Sequence, residues 1–257
     1  MSRAVDVRGV WHRYGKGELA KPVLQDVSMA IDAGEVVLLT GPSGSGKTTL
    51  LTLIGALRAV QDGEVSVLGQ ALHGAREGVR EKLRRRIGFI FQLHNLLEFL
   101  TARQNVAMAL EIDAALPEHD RLARADAALA AVGLADKLNS LPAELSGGQR
   151  QRVAIARAMV HDPGLILADE PTAALDGKTG SETMHLLRDL AKQQGRTILI
   201  VTHDPRILDI ADRIVAMEDG RIVQAAKPAA TAMPLRRGLP LAQGEGDVYP
   251  ESAHSRQ

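Results

Sequence analysis

Glu35-Val36-Val37-Leu38-Leu39-Thr40 runs without a break into Gly41-Pro42-Ser43-Gly44-Ser45-Gly46-Lys47-Thr48, and this junction decides the fold. The first half is a short continuous apolar run, the pattern of a strand covered on both faces of a parallel sheet. The second half is a glycine-rich loop ending in a lysine and a hydroxyl, and it opens a helical run over residues 48–57. Strand, glycine loop and helix start in that order make a phosphate cradle. The glycines let backbone N–H groups converge, and the helix start adds unpaired donors and the positive end of its dipole. Lys47 is placed to reach the β- and γ-phosphates of a nucleotide. The hydroxyl of Thr48 is placed to ligate Mg²⁺, with Thr49 beside it.

Working outward, residues 87–91 (IGFIF), 165–168 (LILA) and 197–201 (TILIV) repeat the buried-strand character, with helical stretches between them. Strands alternating with helices predict an α/β fold built on a mainly parallel sheet, and with the glycine loop this resembles the RecA-like core of P-loop NTPases. The N-terminus differs. Val5, Val7 and Gly9 fall on one side of an extended segment from Ala4 to Tyr14, and Val27, Met29 and Ile31 repeat the period of two, which predicts an antiparallel β subdomain. From Gln92 to about Asp162 the sequence is rich in alanine and leucine, with Thr101 as one N-cap and Pro117-Glu118 as a second helix start. This block, residues 93–162, reads as an inserted α-helical subdomain. From Ala225 the composition turns to alanine, proline, glycine and charge without period, so residues 1–224 are read as the ATPase domain and 225–257 as a flexible tail.

Composition removes several function classes. Lys plus Arg and Asp plus Glu are 31 each, so the formal charge is zero and there is no electrostatic footprint for nucleic acid. Arg84-Arg85-Arg86 is a dense basic run that a solvated helix face explains. Cysteine is absent, which excludes disulfides and thiolate metal sites. The N-terminus does not read as a signal peptide, and no apolar stretch approaches the roughly 20 residues of a membrane helix. Work at a membrane would need a partner.

Further residues carry chemistry. Asp169 and Glu170 follow the apolar run 165–168, where ligand groups gather beyond strand ends in open α/β sheets. Asp169 suits the Mg²⁺ shell and Glu170 the polarisation of an attacking water, although an acidic pair after a strand also serves as a capping turn. His203, after residues 197–202, could bond a γ-phosphate or orient Glu170, or be a structural histidine. Gln92 offers an amide oxygen to the metal, or is an ordinary loop residue. Tyr14 and Trp11 are candidates to stack on adenine, with core or edge packing favoured for Trp11. Far downstream, Leu145-Ser146-Gly147-Gly148-Gln149 starts another helix, and a capped helix start is itself an anion site. Two clamps for one terminal phosphate are reconciled if each nucleotide is held between two copies of the chain.

Taken together, Tyr14, Gly41 to Thr48, Gln92, Ser146 to Gln149, Asp169-Glu170, Asp176 and His203 resemble, in order and spacing, the A-loop, Walker A, Q-loop, signature, Walker B, D-loop and H-loop of ABC ATPases. The resemblance covers about residues 3–223. It implies ATP and Mg²⁺ as ligands and ATP hydrolysis by a homodimer closed head to tail, in which Ser146, Gly147, Gly148 and Gln149 of one copy act on the ATP of the other. The stretches Phe91-Gln92-Leu93-His94-Asn95-Leu96-Leu97 and Leu100-Thr101-Ala102-Arg103-Gln104-Asn105-Val106 are similar to the LolD/MacB/FtsE group. Residues 168–176 and 202–212 look most like its DevA branch. Ala173 departs from the serine or glycine common before the D-loop.

That group implies an integral-membrane permease partner with a periplasmic domain, a periplasmic adaptor and outer-membrane channel, and a place on the cytoplasmic face of the inner membrane. An FtsE-like regulator of cell-wall remodelling shares every site residue and stays open as an alternative. Soluble translation or repair ATPases carry paired domains, long insertions or basic surfaces, none of which is seen here. Leu96, Leu97, Phe99 and Leu100 are the candidate grip on the partner, or else pack under the helical block.

Overall fold

A computed structural model describes residues 2–15, 17–112 and 115–226. β1 (Arg3–Tyr14), β2 (Lys21–Asp32), β4 (Asp62–Val67) and β5 (Gln70–Ala71) form an antiparallel sheet in the order β2-β1-β4-β5. β3 (Val36–Thr40) crosses to a second sheet made with β6 (Ile87–Ile90), β7 (Leu165–Asp169), β8 (Thr197–Val201), β9 (Arg213–Glu218) and β10 (Arg221–Ala226). Its order is β10-β9-β3-β8-β7-β6, with parallel pairing from β9 through β6 and an antiparallel β9–β10 edge. The mainly parallel core and the separate antiparallel sheet are those the apolar patterns predict.

The continuous apolar run is explained by the two cores that β3 divides. Val37 and Leu39 face α1 (Lys47–Ile54) and the antiparallel sheet, whereas Val36 and Leu38 face the helices on the opposite side. All four are fully buried. Each such burial contributes about 1.5–3 kcal/mol, which is why neither register position tolerates a polar residue. The second core is covered by α3 (Ala102–Ala107), α4 (Glu118–Ala131), α5 (Gly147–Met159) and α6 (Gly177–Gln193), while α2 (Glu77–Arg84) lies before β6. Thr101 caps α3 in a box with Gln104, and Pro117-Glu118 starts α4.

Several details depart from the sequence pattern. Gly9 does not continue the buried face of Val5 and Val7. It sits at φ 56°, its N–H donates to Ser28 Oγ at 2.9 Å, and the register shifts between Val7 and Val10, so Val10 becomes the buried residue. This is a bulge that re-aims the strand. α1 stops at Ile54, short of residue 57, because Gly55 is its C-cap and Ala56 turns the chain into the left-handed region at φ 55°. The run Arg84-Arg85-Arg86 is not simply solvated: its guanidiniums donate to the carbonyls of Ala56, Ile112 and Leu68 respectively. β10 extends through Ala226, where the sequence has already lost its period. The tail from residue 227 onward lies outside the described residues.

Candidate functional site

The glycine loop is shaped by what crowds it. Gly41 has φ 143°, and a Cβ there would meet the Met217 carbonyl oxygen at 2.0 Å. Gly46, the N-cap of α1, has φ 102°, and a Cβ would lie 2.8 Å from the Val23 carbonyl oxygen. Both positions need a left-handed backbone and forbid a side chain. Gly220, between β9 and β10, accepts from the Gln25 N–H at 2.8 Å and donates to the Ser45 carbonyl at 3.0 Å, so the loop is tied to both sheets. No side chain caps the start of α1, leaving its first N–H groups for a ligand. Lys47 is buried, and its Nζ donates to the carbonyls of Gly41 and Pro42, both at 2.8 Å.

Around this loop lies a cleft of about 560 Å³, whose wall includes Pro42, Ser43, Gly44, Thr48, Thr49, Gln92, Glu170 and His203. The Thr48 hydroxyl donates to Asp169 Oδ1 at 3.2 Å, joining the end of β7 to the start of α1. Burial raises the Asp169 carboxyl above its ordinary range. The Thr48 hydrogen bond and the Lys47 charge oppose this, and the adjacent Glu170 reinforces it. Glu170 itself has φ 48°, a left-handed conformation that costs a non-glycine residue about 1–3 kcal/mol. Its N–H donates to the Val201 carbonyl at 2.9 Å, its Oε1 pairs with His203 Nδ1 at 2.8 Å, and its Oε2 is buried without a partner. Glu170 lines the cleft as a residue, and a buried carboxylate oxygen without a hydrogen-bond partner marks this position as one held for chemistry rather than for packing.

Thr48, Asp169 and Gln92 together offer hard oxygen donors from three elements, the donor chemistry Mg²⁺ prefers while it keeps waters and substrate phosphates. Tyr14 does not itself line the cleft but touches a residue that does, its hydroxyl lying 3.3 Å from Thr49 Oγ1, with the Arg58 guanidinium 5.0 Å from its ring centroid. Trp11 does not line the cleft and instead lies between the Arg13 and Arg221 guanidiniums, at 5.6 and 5.9 Å.

Ser146, Gly147, Gly148 and Gln149 do not line this cleft either. They begin α5, where Ser146 Oγ accepts from the Gln149 N–H at 3.2 Å and Gln149 Oε1 accepts from the Ser146 N–H at 2.9 Å. Gly148 packs so tightly on α6 that a Cβ would lie 2.3 Å from Thr179 Cγ2. Asp176 caps α6 by accepting from the Thr179 N–H at 3.0 Å, and that bond lowers its pKa.

This geometry has relatives. A family model described as ABC transporter matches residues 24–173, more than half of the chain. The chain belongs to the ABC transporter family of ATP-binding proteins. The cassette is 44% identical over 223 residues to an uncharacterized ABC transporter ATP-binding protein of Thermotoga maritima, covering 86% of this chain and 94% of the relative. It is 42% identical over 221 residues to the macrolide export ATP-binding/permease protein MacB of Marinobacter nauticus, covering 86% of this chain but 34% of MacB. The cassette therefore spans about a third of the length of the MacB proteins it matches. Among solved structures it resembles the dimeric post-hydrolysis state of the ATP-binding cassette MJ0796 bound to ADP and Pi. There the TM-score is 0.79 at 40% identity, covering 87% of this chain and 98% of that one. CbiO1 of Clostridium perfringens, part of an ABC transporter complex, gives a TM-score of 0.80 at 31% identity over 89% of this chain and 90% of that one. The cassette is an ABC ATPase that binds ATP. No helix among its described residues is long and apolar enough to cross a membrane.

The structure also shows residues of the cassette that sequence reasoning missed. Asp204 is buried and receives Arg206 Nε and Nη2 at 2.7 Å each, and it accepts from the Thr172 hydroxyl at 3.0 Å. Arg206 also presses on Gly177, where a Cβ would lie 2.5 Å from its Nη1. The turn after His203 is thereby locked to the segments on either side of Ala173. The Asp204-Pro205-Arg206 spacing is a turn signal that could have suggested the pair, but its partner Thr172 is more than thirty residues away in the chain.

Proposed function

We propose that this chain is the ATP-hydrolysing subunit of a bacterial exporter of the LolD/MacB/DevA type, on the cytoplasmic face of the inner membrane. Two copies close head to tail on two ATP molecules and drive an integral-membrane permease with a periplasmic domain, served by an adaptor and an outer-membrane channel. The cargo class is a lipid, lipoprotein, glycolipid or drug. The observation that carries this reading is the separation of the two clamps. The cleft gathers the loop, Gln92, Glu170 and His203, whereas the α5 start at Ser146 stands apart from it. A second copy would bring the missing wall. The dimeric, ADP- and Pi-bound state of a 40% identical cassette and the macrolide-export name of the MacB relatives support it.

In this reading Tyr14 stacks on adenine, and Lys47 and the loop N–H groups hold the β- and γ-phosphates. Thr48, Asp169 and Gln92 hold Mg²⁺, which when bound supplies charge neutralisation across the phosphates. Glu170, on the wall of the cleft, polarises the attacking water, and His203 fixes its carboxylate by the 2.8 Å contact. Asp176 presents the helix start that faces the second copy.

The test is sedimentation of Glu170→Gln. It should be monomeric without nucleotide and dimeric with ATP, and adding Ser146→Arg should abolish the dimer. A monomer under both conditions would refute closure, and a dimer indifferent to Ser146→Arg would place the interface elsewhere. For the permease, the exposed apolar residues after β6 are Leu93 (75%) and Phe99 (76%), whereas Leu96 packs against the helical core. Phe99→Asp should therefore release the cassette from a co-purifying membrane protein.

A further inference from the structure

Outside the nucleotide cleft, unfavourable features concentrate in the loop between β6 and α3. His94 and Asn95 are consecutive non-glycine residues in the left-handed region, at φ 61° and 49°. Side chains rarely adopt that conformation in succession, so something must hold it. The holder is Arg157 on α5. Its Nη2 donates to the His94 carbonyl at 2.6 Å and its Nη1 to the Asn95 carbonyl at 2.5 Å. The guanidinium is half-buried, and burial lowers its pKa with no carboxylate offsetting it. His94 is itself buried against the same helix, facing Arg150 and Arg157, with Nε2 unpartnered. A charge partly withdrawn from water, a strained turn and an orphaned imidazole nitrogen meet at one place. Such outliers persist only where the surroundings impose them.

The far end of the loop is pinned independently. Asn105 is fully buried, its Oδ1 accepts from the Leu97 N–H at 2.8 Å, and its Nδ2 donates to the carbonyls of Leu97, Leu100 and Thr101. Asn105 pins the loop to α3, whereas Arg157 pins it to α5, the helix that begins at Ser146, and grips it two residues after Gln92.

We propose that Arg157 is a positioning residue that fixes Gln92 in the cleft by clamping the His94-Asn95 turn to α5, so that a displacement of α5 reaches Gln92 through two hydrogen bonds. This rests on the assignment of Gln92 to the Mg²⁺ shell, and two readouts separate the two claims. The first needs neither nucleotide nor metal: hydrogen exchange of the full chain. Arg157→Ala should accelerate exchange of the His94 and Asn95 amides at least tenfold, while the Leu97 amide, held by Asn105, and β7 and β8 keep wild-type protection. The second is the Mg²⁺ concentration for half-maximal ATPase, which should rise severalfold in Arg157→Ala while ATP binding measured in EDTA is unchanged. Arg157→Lys keeps charge and stem but not the fork that spans two carbonyls, and it should restore at most part of both effects. It decides the question alone if Arg157→Ala does not fold. Unaltered exchange at His94 and Asn95, or acceleration spread equally over β7 and β8, overturns the clamp. Faster loop exchange with an unmoved Mg²⁺ requirement overturns the link to Gln92, and the wild type's own Mg²⁺ dependence reports separately on the metal assignment.

Discussion

Replacing Asp204 by asparagine keeps the shape of the turn after His203 and removes the charge that binds it. The bidentate Arg206 contact, aided by the Arg206 N–H and the Thr172 hydroxyl, lowers the Asp204 pKa from 3.8 to about 2 against the opposing effect of burial. At about 1.4 kcal/mol for each pKa unit the shift corresponds to about 2.5 kcal/mol, which solvent screening at the half-exposed Arg206 reduces to about 2 kcal/mol of folded-state stability at neutral pH. For a domain of this size a loss of 1 kcal/mol lowers Tm by about 2–4 °C, so Asp204→Asn should melt about 4–8 °C below wild type at pH 7.5. The sign in acid follows from the depressed folded pKa. The stabilisation is complete above the unfolded value of 3.8 and is lost as pH falls through the folded value near 2. The gap between wild type and variant should therefore narrow below about pH 4, because asparagine has no charge to lose. Calorimetry or circular dichroism of the nucleotide-free chain over this range is the assay. A variant melting within about 1 °C of wild type at pH 7.5, or a gap that is constant with pH, would refute the charge-based account.

The same reasoning extends to the cleft. Lys47→Ala should weaken ATP binding by about tenfold to a hundredfold, the worth of a charge-assisted contact of about 1.5–3 kcal/mol, and calorimetric titration showing unchanged affinity would sink its assignment. Asp169 has a raised pKa, chiefly from burial, so its ionised form costs the folded state stability above the unfolded pKa, and that cost is relieved as pH falls through the folded value. Asp169→Asn should consequently melt at or above the wild-type Tm at pH 7.5 while losing Mg²⁺-dependent hydrolysis, and a lower Tm would show that the carboxylate is a net stabiliser.

Features that depend on contiguous chain were legible in the sequence. The 35–48 junction, the acidic pair after the 165–168 run and the Ser146 helix start announce themselves because strand, loop and cap each need a particular local order of residue types. Thr101 and Ser146 even carry their capping partners three residues on. Contacts that depend on how elements are stacked were not legible. Nothing near Arg157 in the chain indicates that its guanidinium closes on carbonyls more than sixty residues earlier. The bulge at Gly9 was hidden because a period of two cannot reveal an inserted residue until pairing is known. The grip residues were half legible: apolarity drew notice to Leu96 and Phe99 alike, but only packing separates the one that faces the core from the one that faces water.

The seam at Gly220 has one more consequence. Because Gly220 bonds Gln25 of the antiparallel sheet on one side and Ser45 on the other, and Gly46 abuts Val23, the nucleotide loop is one of the rivets that fasten the outer sheet to the inner one, beside the shared core and the Arg213 bond to the Ala30 carbonyl. Peeling β2 away would distort the loop before the parallel sheet lost a single pairing, so affinity for nucleotide would vanish while most of the molecule remained folded. Conversely, a nucleotide seated in the loop staples the two sheets together, and its protection should reach residues 21–32, which lie mostly outside the cleft, as plainly as those that line it.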